Sequence, residues 1–144
     1  MTRGPLLALL VAAGACDHTP AVPVAPDCGS VADIEERIIL PRCGAPGDGS
    51  CHATGSAPPR MAEVGRIAEN LLEVRGLLRC HKDAYVSRNN PEQSYILAKI
   101  RSTGASASCS DGSNGGPRMP YQDAPPLTAA EAACLERWVH EIAR

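Results

Sequence analysis

The sequence predicts an all-α domain of four short helices, joined by long Gly- and Pro-rich loops and stapled by disulfides. Three observations predict it. Apolar residues recur at spacings of three and four in separate segments, and no segment alternates convincingly at period two. Glycine and proline number 13 each and gather between those segments, where they argue against regular structure. The chain has seven cysteines, and setting aside Cys16 leaves an even set: Cys28, Cys43, Cys51, Cys80, Cys109 and Cys134. With no Phe, one Trp and three Tyr, the core must come from Leu, Ile, Val and Ala, and a core that modest needs a staple or a cofactor.

The N-terminus reads as an export address. Arg3 precedes an apolar run at residues 6–13, which is too short for a bilayer span of about 20 residues. Small residues Ala13, Gly14 and Ala15 then lead directly to Cys16. An ordinary secretory signal needs only the small residues; a cysteine directly after them supplies the thiol that takes a diacylglycerol. Residues 1–15 are therefore expected to be a lipoprotein signal. The chain would be lipid-anchored through Cys16 at the bacterial envelope, facing the periplasm, on the inner or outer membrane. Pro20, Pro23 and Pro26 make residues 16–29 an extended, semi-rigid tether. Residues 30–144 form the domain, read as a monomer. The formal net charge of -2 offers no basic surface for nucleic acid.

Ser30 opens the first helix with Asp33 three residues on. Val31, Ile34 and Ile38 share one face, and Pro41 closes the element. A loop rich in Gly, Pro and Ser covers residues 43–60. Met61, Val64, Ala68, Leu71, Val74 and Leu78 predict a second helix, weakened by Gly65 and Gly76. Asn90 with Pro91 signals the start of a third, carrying Tyr95, Ile96, Leu97 and Ile100. A second loop covers residues 102–126. Thr128 and Glu131 form a capping box for the last helix, striped by Leu135, Trp138, Val139 and Ile142. Trp138 and Tyr95 are expected to pack the helix crossing.

The residues that carry chemistry sit in the loops. Cys51 is followed at once by His52, and Met119 stands in the second loop. A His and a Met from separate loops are the axial ligands of c-type haem iron, where the thioether favours reduced iron. In the usual C-x-x-C-H attachment site two thiols add to the haem vinyl groups. Here seven residues separate Cys43 from Cys51, so these two thiols either attach haem across a longer loop or close a disulfide of their own. A zinc site built from Cys43, Cys51, His52, Cys80 and His81 matches no usual zinc spacing, and no Cys–His nucleophilic site finds an orienting residue. Six thiols allow 15 connectivities. Cys80 with Cys109 would tie the middle of the chain to the Met119 loop, and Cys28 with Cys134 would clamp the first helix to the last.

In order and spacing, residues 38–43 (IILPRC), Cys51-His52, residues 90–100 (NPEQSYILAKI), 118–121 (RMPY) and 126–142 (PLTAAEAACLERWVHEI) resemble the cytochrome c-like lipoproteins of myxobacteria and planctomycetes. The resemblance is spread over most of residues 29–144. It implies a cytochrome c-like fold, with terminal helices crossing and haem c in a cleft. It also implies His52 as proximal ligand of the haem iron, Met119 as distal ligand, and Cys51 with Cys43 as thioether cysteines. The expected function is one-electron transfer to transient redox-protein partners, without catalysis. The alternative is a haem-free, disulfide-stabilised structural or binding lipoprotein.

Overall fold

One disulfide and two side-chain clamps fasten the first helix to the last, in a computed structural model that describes residues 26–44, 52, 59–77, 79–120 and 124–144. Ser30 starts α1 (Val31–Ile34): its hydroxyl accepts from the Asp33 N–H, and the Asp33 carboxylate accepts from the Ser30 N–H at 2.7 Å. After one turn the helix widens into a π-helix, Glu35–Gly44, with Pro41 inside it rather than closing it. Pro41 is exposed, and the carbonyl its missing N–H would have met in the i→i+5 pattern belongs to exposed Glu36, open to water. The wider turn puts residues four to five apart on one face, so Ile34, then Ile38 and Ile39, then Gly44 turn inward. A Cβ on Gly44 would lie 1.9 Å from the Met61 carbonyl oxygen, so only glycine lets the two strands of chain meet there.

The second helix is far shorter than its apolar spacing predicts. α2 covers only Ile67–Leu71. Gly65 (φ 84°) precedes it and Glu73 (φ 59°) turns the chain left-handed after it. From there residues 72–76 run extended along residues 83–86, with the Tyr85 N–H donating to Val74 and the Val86 N–H to Leu71. The same stretch also caps the next element. The Tyr95 and Ile96 N–H groups, orphaned at the start of α3 (Tyr95–Arg101), donate to the carbonyls of Ala84 and Tyr85. Backbone from elsewhere in the fold thus does the capping expected of Asn90, and Pro91–Gln93 is a separate 3-10 turn.

The all-α expectation is corrected. Within the loop expected at 102–126 the chain forms an antiparallel pair, β1 (Ser106–Ser108) with β2 (Asn114–Pro117). The described fold is therefore helices plus a two-stranded sheet, and it does not meet the four-helix, cytochrome c-like class expected of it. Sequences as poor in β-formers as SAS and NGGP give no period-two signal; what makes them strands is the backbone around them.

α4 (Ala129–Ile142) begins at Thr128 with a full capping box to Glu131, as its sequence predicts. It is the centre of the core. Leu135, Trp138 and Val139 are buried beside Ile34, Ile39, Ile67, Leu71, Val86 and Leu97. Cys134 joins Cys28 in a disulfide, and the Arg137 guanidinium donates to the Gly29 carbonyl at 3.0 Å. No described helix is long and apolar enough to cross a membrane.

Candidate functional site

His52 is half-buried, and its ring Nδ1 lies 2.9 Å from the Pro59 carbonyl oxygen. A carbonyl only accepts, so this contact places a proton on Nδ1. Metal-binding histidines commonly have their second nitrogen fixed in this way. The backbone is held too: the N–H of buried Met61 donates to the His52 carbonyl at 3.2 Å. Met61 in turn touches Gly44 at the end of the π-helix. The imidazole is therefore held at Nδ1, on a backbone anchored to the core.

Met119 follows β2 and is half-buried. Its N–H donates to the Lys99 carbonyl on α3 at 3.0 Å, and the Arg118 N–H to Ala105 at 3.2 Å. Lys99 also donates from Nζ to the Pro117 carbonyl at 2.7 Å and lies over the Tyr95 ring, 5.3 Å from its centroid. Burial and the nearby Arg79 cation bring the Lys99 ammonium down to about 8. Burial, with the Tyr85 ring beside it, pushes the Tyr95 phenol up to about 12. Gly116 (φ 80°) lies under both cations; a Cβ there would come within 2.9 Å of the Arg79 side chain.

Cys43 lies in the last turn of the π-helix, and burial pushes its thiol up to about 11 against the opposite pull of Arg42. Cys51 and the lipidation candidate Cys16 lie outside the described residues, as does most of the loop between Cys43 and Pro59. The remaining four cysteines form the two disulfides named as candidates, Cys28–Cys134 and Cys80–Cys109. This removes Cys80 from the zinc alternative, because a disulfide sulfur is not a thiolate ligand. The same applies to the grouping of Cys80, Cys109 and buried Asp83. Both Asp83 oxygens are engaged by the Ser110 N–H and hydroxyl. His81 is exposed and its Nδ1 contacts the Gly76 carbonyl at 2.8 Å.

Three parts of this arrangement escape sequence reasoning. Pro59 acts through its carbonyl, which no residue pattern advertises. Glu35 is fully buried, accepting from the Gly65 N–H at 2.6 Å and the Trp138 indole at 3.3 Å, although a Glu early in a helix reads as solvated. Lys99 follows Tyr95 by four residues, and that spacing was the available signal. No family model, curated protein or solved structure matches the chain.

Of the haem-ligand candidates, His52 is held through Nδ1 at the Pro59 carbonyl, and Met119 lies on a segment bonded to α3.

Proposed function

We propose that this chain is a lipid-tethered electron carrier of the bacterial envelope, binding one haem c and exchanging single electrons with transient redox-protein partners. His52 and Met119 would hold the iron, and Cys51 with Cys43 would take the thioether bonds. Bound there, the haem would supply reversible one-electron chemistry at iron. The single observation that supports the reading is the His52 Nδ1 contact with the Pro59 carbonyl, the kind of backbone contact that commonly orients a metal-binding histidine. A soft thioether ligand from Met119 would favour the reduced state and raise the potential. The Pro-rich segment after Cys16 suits a carrier that must reach partners while anchored.

A pyridine haemochrome spectrum, taken beside an intact mass on protein expressed with haem c maturation machinery, tests this directly. One haem of added mass is expected, with His52→Ala abolishing native ligation and Met119→Ala lowering the potential. A chain without haem, its mass reporting all six cysteines other than Cys16 in disulfides, would overturn the reading in favour of a haem-free structural or binding lipoprotein.

A further inference from the structure

The edge of β2 away from β1 is not open. Along an extended chain, alternate residues turn their backbone groups to the same side. Arg118 turns toward β1, donating to Ala105. Pro117 and Met119 turn the other way, toward α3, and Gly115, which precedes positive-φ Gly116 in the irregular part of the pairing, also meets a partner there. The Tyr95 hydroxyl donates to the Gly115 carbonyl, Lys99 Nζ donates to the Pro117 carbonyl at 2.7 Å, and the Lys99 carbonyl accepts from the Met119 N–H at 3.0 Å.

The side chains of one helix face thus stand where a third strand would hydrogen-bond. The residue types follow from that. Tyr and Lys bring donors to strand carbonyls, and Pro117 has no N–H to leave unpaired on that side. Lys99 is held over the Tyr95 ring, so the two donors brace each other. A two-stranded hairpin alone is marginal in water, so this row of bonds decides where its last residues lie.

We propose that Tyr95 and Lys99 are the positioning residues for Met119: they fix the register of the segment that presents its thioether. The consequence for iron rests on the reading of Met119 as axial ligand given above; the backbone claim does not.

Three variants test it, each measured with and without haem. Lys99→Met keeps the length of the side chain and deletes the donor. Tyr95→Phe keeps the ring and its stack on Tyr85 while deleting the hydroxyl. Lys99→Arg restores a donor. In haem-free protein, amide exchange at Met119 should quicken about tenfold in Lys99→Met, the scale of one lost hydrogen bond, and less in Tyr95→Phe. Exchange at Leu135 and Trp138 in α4 should hold. In haem-loaded protein the same two variants should lower the midpoint potential and weaken the absorption signature of thioether ligation, and Lys99→Arg should recover both. Met119 exchange unchanged in Lys99→Met, or quickened equally in α4, would overturn the proposal. Quickened exchange with an unchanged potential would confine these residues to the backbone and overturn their role toward iron. Should the unmutated chain acquire no haem, the electron-carrier reading fails by itself, and Met119 exchange still decides the positioning claim.

Discussion

The helical end around α4 and the strand-bearing end around α3 each contain a disulfide and a buried acidic side chain, yet they are held by different chemistry. At the helical end, side chain meets side chain across long sequence separations. Glu35 reaches Trp138, Arg42 grips Glu131 through two nitrogens at 2.8–3.1 Å, and Cys28 joins Cys134. At the other end, side chains and neighbouring backbone chiefly answer backbone. Tyr95 and Lys99 meet the carbonyls of β2, Ala84 and Tyr85 accept the first N–H groups of α3, and Asp83 takes the N–H as well as the hydroxyl of Ser110. Regular helices satisfy their own backbone and leave side chains to join them. Irregular chain leaves its backbone groups to be satisfied from outside, and the side chains are used up in doing so.

The largest test of that contrast is to open each disulfide. Cys28–Cys134 closes a separation of 106 residues and Cys80–Cys109 one of 29. The loop-entropy estimate is about 5 kcal/mol for the first and about 3.5 kcal/mol for the second. Denaturant unfolding of the two Cys→Ser double variants should preserve that order. A reversed order would mean that the strand-bearing end depends on its staple for more than chain entropy.

Next come the buried carboxyl groups. Trp138→Phe deletes the indole donor to Glu35 and leaves that buried side chain with the Gly65 N–H. The expected loss is about 1–3 kcal/mol. Asp83→Asn exchanges one acceptor for a donor facing Ser110 and should cost a similar amount. Exchange measurements should separate them: Trp138→Phe quickening amides across α1 and α4 together, Asp83→Asn only those near Ser110. A global response to both would erase the distinction between the two ends.

A smaller effect is expected at the caps. Thr128→Ala removes the hydroxyl that accepts from Glu131 and should cost about 1 kcal/mol by denaturant unfolding. The smallest is a pH effect at the same place. Desolvation works to raise the Glu131 carboxyl, but the Thr128 N–H and the Arg42 guanidinium outweigh it and hold it below its ordinary value of 4.5. A carboxyl lowered on folding stabilises the folded state above that ordinary value, and the contribution fades as pH falls through the lowered one. Glu131→Gln should therefore lose stability relative to the unmutated protein at neutral pH, with the gap narrowing below about pH 4.5. A constant gap across that range would show that the Arg42–Glu131 contact contributes nothing through charge.

The same contrast explains what the sequence made legible. Both capping boxes, the stripe of α4 and the burial of Tyr95 and Trp138 were readable, because a helix announces itself through neighbours three and four residues away. The second helix shrank to Ile67–Leu71 because its apolar spacing ran on into chain that pairs with residues 83–86 instead. The strands were invisible because Ser106–Ser108 and Asn114–Pro117 owe their form to partners on β1, β2 and α3, not to their own side chains. Of the candidate site, His52 and Met119 were legible as residue types. The Pro59 carbonyl and the Lys99 clamp were not, because they are products of tertiary placement.

Glu35 has one more effect, through the residue it holds. The Gly65 N–H it binds lies 30 positions downstream, and Gly44 and Met61 touch between them. The stretch bearing Cys51 and His52 is thus a hoop whose two feet are nailed to the core. Once the feet are fixed, doubling the length of a hoop costs only about 0.6 kcal/mol. A longer or shorter interval between Cys43 and Cys51 would therefore change the stability of the fold only slightly.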